Sequence, residues 1–252
     1  MNIAGNTILI TGGASGIGQA FAEAFHARGN QVIISGRRQQ ALDEVTAANP
    51  GMKSLRLDIN DKAGVRAFAE QVSRDYPALN VVINNAGIMK TEDLKAAPDY
   101  LDIAEETIAT NLLGPIRLTA ALLPHLLRQA HATVMTVSSG LAFVPMVMTP
   151  TYSATKAAIH SYSMTLRQQL RGTTASVIEL VPPYVQTGLM GEHQANDPRA
   201  MPLEAFITEA MEILTNEPDV TEVVVKRCEP LRFAAEKGNL AEMFRALNNP
   251  AE

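Results

Sequence analysis

The chain has one cysteine, no tryptophan and no apolar stretch near the length of a membrane span. A lone Cys228 cannot close an internal disulfide, so a reducing compartment and a cytoplasmic location are expected. In a late strand or turn it reads as half-buried filler rather than a nucleophile. No stretch reaches the roughly 18 consecutive apolar residues of a transmembrane helix, and no membrane partner is expected. A basic start and cleavage site are missing too. The first apolar run, residues 7–10, is short and leads straight into glycines, unlike a signal peptide. With a net charge of −5 and no basic run interleaved with aromatics, no nucleic-acid partner is expected. None of the five histidines has a second ligand at i+2 to i+4, and no metal is expected. His26, His125 and His160 read as ordinary helix residues, His193 as a solvated loop residue, and the carboxylates as solvated helix faces without a paired acid site.

What is present is an alternation. Short β-branched runs at residues 7–13, 31–37, 54–59, 80–87, 133–139 and 176–183 read as strands, with a seventh at 222–227. Between them lie segments with helix-period apolar spacing, including long helices over about 99–129 and 151–171 and a last one over 231–248. Near-continuous apolar strands in β–α–β order predict an α/β fold: a doubly wound parallel sheet covered by helices on both faces. At 252 residues and 46% apolar, the chain can bury one large core, and it reads as a single domain over 1–252. The polar stretch 188–202 opens a segment, around 188–218, read as a substrate lid.

A glycine turn, Thr11-Gly12-Gly13-Ala14-Ser15-Gly16-Ile17-Gly18, follows the first strand and opens a helix. There the backbone can approach a pyrophosphate, and the helix N-terminus offers free N–H groups and partial positive charge. Further on, Tyr152 and Lys156 lie four residues apart in a helical pattern, which puts them on one face. A phenol with pKa about 10 is a poor base near neutrality. One cation at roughly 4 Å, with an effective dielectric of about 20, offers on the order of 4 kcal/mol, or about 3 pK units, toward phenolate. The sequence therefore predicts a tyrosine brought into the working range of a general acid/base.

The glycine turn, Asn84-Asn85-Ala86-Gly87, Asn111 inside a helix, Ser139 ending a strand, Tyr152-x-x-x-Lys156 and Pro182 to Thr187 come in an order that resembles the short-chain dehydrogenase/reductase family over about residues 6–187. Within it, the stretches 181–190 and 244–248 are similar to a bacterial subgroup of D-alanylation-operon oxidoreductases. The resemblance implies a Rossmann-type sheet of order 3-2-1-4-5-6-7 and hydride transfer between a nicotinamide cofactor and a small carbonyl or alcohol substrate. It also implies a catalytic tetrad of Asn111, Ser139, Tyr152 and Lys156. By the same resemblance, Thr11, Gly12, Ser15, Gly16, Ile17 and Gly18 hold the cofactor phosphates. Asp58 and Ile59 would meet the adenine, and Asn85, Ala86 and Gly87 the adenosine ribose. Lys156 and Tyr152 would reach the nicotinamide ribose, with Pro182, Val185 and Thr187 around the nicotinamide. Pro183 stands where the family more often has glycine, which fixes φ and removes an N–H. A capping role for Asp58 on the following helix is the competing reading.

An NAD site of this type carries an acid at the end of the second strand, about 20 residues past the glycine turn. Here Ser35-Gly36-Arg37-Arg38 stands instead, so NADP is the expected cofactor, with NAD possible, Arg37 on the 2′-phosphate and Arg38 assisting. Leu141, Phe143, Val144, Met146, Val147 and Met148, with Met89, Tyr184, Leu189 and Met190, predict an apolar substrate pocket. The apolar long helices predict a homodimer, with a tetramer less favoured. An NAD-dependent alcohol dehydrogenase, or a nucleotide-binding regulatory protein without turnover, remain as alternatives.

Overall fold

Seven strands form one parallel sheet in a computed structural model that describes residues 1–249. They are β1 (Thr7–Thr11), β2 (Gln31–Gly36), β3 (Lys53–Arg56), β4 (Leu79–Asn84), β5 (Ala132–Val137), β6 (Ala175–Val181) and β7 (Glu222–Val224). The order is β3-β2-β1-β4-β5-β6-β7, the expected doubly wound arrangement, with every neighbouring pair parallel. The β-branched runs supply it because a central parallel strand is covered on both faces. In β1, Ile8, Leu9 and Ile10 are all fully buried, on alternating sides of the sheet.

The helices are α1 (Gly16–His26), α2 (Gln39–Ala48), α3 (Lys62–Asp75), α4 (Leu101–Ile108), α5 (Gly114–Leu126), α6 (Pro150–Gln169), α7 (Glu192–Ala195), α8 (Leu203–Asn216), α9 (Glu229–Arg232) and α10 (Leu240–Asn248). One face of the sheet packs on α1, α2 and α8, where Phe21 meets Phe206 edge-on at 6.4 Å. The other packs on α3, α5 and α6 through Val65, Phe68, Leu118, Leu122 and Leu166.

Three departures from the sequence reading concern where elements break. The helix expected over 99–129 is interrupted by a π turn, Ala109–Leu113, between α4 and α5. The tail expected as one helix divides into α9 and α10, joined by turns over residues 233–238 that close on Gly238 at φ +71° just before α10. In the segment read as a lid, residues 203–216 form α8, whose Phe206, Ala210, Met211 and Leu214 are buried. Residues 188–202 hold only the short α7, and their base is tied by Gln186 N to Met201 O (2.9 Å) and Met201 N to Tyr184 O (2.8 Å).

Candidate active site

The sheet's carboxyl edge gathers the predicted residues from separate elements. Tyr152 and Lys156 occupy the first turns of α6, both buried, with Nζ of Lys156 5.4 Å from the centre of the Tyr152 ring. That nitrogen donates to the carbonyl of Val137 at the end of β5, at 2.7 Å. Burial pushes Tyr152 up to about 12, against a hydrogen-bonding Ser139 that lowers it. It also draws Lys156 down to about 8, with the negative charge of Glu179 pulling the other way. The expectation that the lysine brings the phenol down is thus not met in the free protein. Desolvation outweighs a cation that stands over the ring and bonds elsewhere.

Ser139 caps a short 3₁₀ turn (Gly140–Ala142), its Oγ accepting from Leu141 N at 3.1 Å. The turn is held from below by Gly140 N donating to Pro182 O at 2.9 Å. The preceding Ser138 is turned into the sheet, its Oγ reaching Leu180 O. Asn111 lies in the π turn and grips the backbone of Ile88. Its Nδ2 donates to Ile88 O, and its Oδ1 accepts from Ile88 N, both at 2.8 Å. A π turn displaces one residue from the α-helical ladder, and here that aims the carboxamide at the end of β4.

The cofactor-type residues line a cleft of about 130 Å³ formed by Thr11, Gly12, Gly36, Arg37, Asp58, Ile59, Ala86 and Gly87 with neighbours. Ser35, from the stretch ending β2, also lines it, as do Leu57, Asn60, Ile88 and Thr110, which no sequence motif signals. Asn85 is not among the lining residues, because its side chain turns to β1 and donates to Thr11 O at 2.9 Å. Arg38 is not among them either, and stands at the start of α2. Asp58 does not cap α3. Asp61 does, accepting from Ala63 N, which leaves Asp58 at the cleft.

The residues fit a dinucleotide on three observations. Gly16 has φ +53°, and a Cβ at Gly18 would collide with the Gly12 carbonyl. The N-terminus of α1 has neither a side-chain cap from Ser15 nor an acid in its first turn, so it can receive a phosphate. Ser35 Oγ is fully buried at the cleft without a hydrogen-bond partner. Ile17 packs half-buried against the core. Thr187 approaches Gly16 and is itself held by Gln194 Nε2 at 3.2 Å, a bond from α7 that no motif signals. Val185 is buried just before it.

Two other sequence readings change. Phe143 and Val144 belong to the packed interior: Val144 is fully buried and Phe143 stands edge-on to His160 at 4.7 Å. Val147, Met148, Tyr184 and Leu189 remain exposed. The carboxylates are not all solvated. Glu179 and Glu222 are register partners on β6 and β7, and with His160 they offer oxygen and nitrogen atoms within 4.8 Å of one another. Arg232 takes both Glu222 oxygens, at 2.6 and 3.2 Å. Cys228 is buried, which pushes its thiol up to about 12.

The sequence profile of the short chain dehydrogenase family matches residues 6–198. The chain belongs to that family of oxidoreductases. It is 44% identical over 189 residues to the uncharacterized oxidoreductase DltE of Bacillus subtilis (strain 168), covering 75% of each chain. It is 29% identical over 182 residues to the NADP-dependent 3-hydroxy acid dehydrogenase YdfG of Shigella flexneri, covering 71% of this chain and 72% of that one. A solved short chain dehydrogenase from Burkholderia cenocepacia J2315, in complex with NADP, shares the fold with a TM-score of 0.81. It is 22% identical, over 97% of this chain and 99% of that one. Among the described residues no helix is long and apolar enough to cross a membrane.

Proposed function

We propose that the chain is an NADPH-preferring reductase of small, mainly apolar carbonyl compounds, able to run as an alcohol dehydrogenase in reverse, with Asn111, Ser139, Tyr152 and Lys156 as its catalytic residues. The observation that carries this is the buried Tyr152–Lys156 pair at the sheet's carboxyl edge, beside Ser139. Bound nicotinamide would supply the two-electron reduction at the substrate carbon. Ser139 donates a hydrogen bond to the substrate oxygen and holds it against the phenol. Tyr152, which burial keeps protonated, gives that oxygen its proton. The ammonium of Lys156 stabilises the tyrosinate left behind and bonds the nicotinamide ribose. Asn111 fixes the loop at Ile88 that joins the nucleotide cleft to this centre.

The NADP reading is supported by Arg37 in the cleft wall, by the absence of an acid at residues 35–38, and by the space above Gly36, where a Cβ would find its first neighbour at 3.9 Å. Val147, Met148, Tyr184 and Leu189 supply the apolar mouth. Residues 188–202 are the lid, with α8 as its anchored end. Exposed Leu101, Ile108 and Leu113 on the α4–α5 rod and Met164 on α6 support a homodimer. The single buried cysteine suits a cytoplasmic setting. A panel of carbonyls and alcohols, followed at the nicotinamide absorbance with NADPH and NADH, tests the reading.

A further inference from the structure

Glu179 lies between Ile178 and Leu180 in the buried part of β6 and is itself fully buried. Its Oε2 accepts from His160 Nδ1 at 2.8 Å, while Oε1 has no hydrogen-bond partner among the described residues. A carboxylate removed from water and half bonded is costly unless an opposite charge stands near it. The question is which cation does.

The sheet register gives the answer. Glu179 pairs with Thr136 of β5, and Leu180 with Val137. Thr136 Oγ1 bonds Ser163 Oγ of α6 at 2.7 Å, so this pair faces α6, and register partners in a ladder share a face. Over the same face Lys156 reaches Val137 O at 2.7 Å. Lys156 and His160 are four residues apart on α6, one above the other. Glu179 therefore lies beneath the helical turn that joins them.

The charged groups around the pair can be named. From β7 comes Glu222, and from α9 Arg232, which spends its guanidinium on Glu222 at 2.6 and 3.2 Å and on the exposed Glu236 at 2.7 Å. From α6 come His160, Lys156 and Tyr152. Arg232 is already neutralised by two carboxylates, and among the described residues Lys156 has no carboxylate hydrogen-bonded to it.

We propose that Glu179 is the counter-ion of Lys156 and that His160 orients it, a positioning pair behind the catalytic lysine that keeps its ammonium charged in a dry site. This rests on the reading of Lys156 given above. Desolvation draws the lysine down, and the Glu179 charge opposes it. Without that charge the lysine loses its proton at lower pH, and the tyrosinate loses its support.

The test is a titration of lysine labelled with ¹³C at Cε, followed by NMR on the cofactor-free protein, with the Lys156 signal assigned by its loss in Lys156→Met. The Lys156 midpoint is expected to fall by about one pH unit or more in Glu179→Gln, and to stay at the wild-type value in Glu222→Gln. An unchanged midpoint in Glu179→Gln overturns the proposal. If Glu179→Gln does not fold, His160→Ala takes its place. It should lower the midpoint while His160→Gln, which keeps a donor to the carboxylate, does not; equal midpoints in both overturn the proposal. In turnover, the alkaline limb of kcat should move the same way in Glu179→Gln, whereas a merely structural role would lower kcat evenly across pH. A wild type inert toward every carbonyl and alcohol would defeat the functional reading, yet the titration would still decide the counter-ion.

Discussion

The side chain of Asn111 and the backbone of Ile88 hold each other twice, N–H to Oδ1 and Nδ2–H to carbonyl, each at 2.8 Å. These two hydrogen bonds tie the π turn to the loop leaving β4, and Asn111 Nδ2 also reaches Thr155 Oγ1 of α6 at 3.4 Å, so one side chain links the cleft loop to α6. Asn111→Ala leaves both backbone groups unpaired and should destabilise the protein by about 1–3 kcal/mol in urea unfolding. Turnover should fall further than that loss of folded protein explains, because the loop is no longer registered against α6.

A second link lies at the start of α6. Glu92 is buried, and its carboxylate accepts from Thr151 N at 3.1 Å and from Thr151 Oγ1 at 2.6 Å, one residue before Tyr152. Its own N–H donates to Met148 O at 3.0 Å. Glu92→Gln keeps the shape and removes the charge from a helix N-terminus, and should cost about 1 kcal/mol in thermal or urea unfolding. Stability equal to wild type would show that the charge contributes nothing there.

The buried lysine sets a stability signature. Its pKa is drawn from 10.5 to about 8 on folding, so between those values the unfolded chain binds more protons than the native one. Stability contributed by this group therefore rises as pH increases from about 8 toward 10, by on the order of 2–3 kcal/mol. Tyr152, raised to about 12, opposes the trend only above about 10. Unfolding of wild type and Lys156→Met across this range should show the rise in the first and a flatter profile in the second.

Much of this arrangement was legible in the chain because its signals are local. β-branched runs between helix-period segments mark the strands, and the glycine turn and the Tyr152–Lys156 spacing each express geometry within a few residues. What could not be read is non-local. Glu179 looks like any strand carboxylate until β5, β7 and α6 enclose it, and Gln194 gains meaning only when α7 folds back on Thr187. The pKa of Tyr152 went the other way for a related reason: spacing reports the neighbour's charge, but burial depends on the whole core. Periodicity gives no cue to the π turn either, since residues 109–113 keep helical spacing; only the family resemblance implied a helix distorted at Asn111.

On the proposed reading, cofactor choice rests on Arg37, the residue after β2. Arg37→Ala should weaken NADPH binding by about ten- to hundred-fold, the worth of one charge-assisted contact, and leave NADH nearly unchanged. Calorimetry with both cofactors checks this, and tighter NADH than NADPH binding by the wild type would contradict the reading of β2.

The central claim is that one hydroxyl carries the proton. Tyr152→Phe should be measured beside wild type with NADPH and an active carbonyl, following the nicotinamide absorbance, with calorimetric NADPH affinity as the control for folding. The account predicts turnover lost to below a few per cent of wild type with affinity nearly unchanged, as expected when a general acid is removed from an otherwise intact site. Turnover that persists near the wild-type rate in Tyr152→Phe would contradict it.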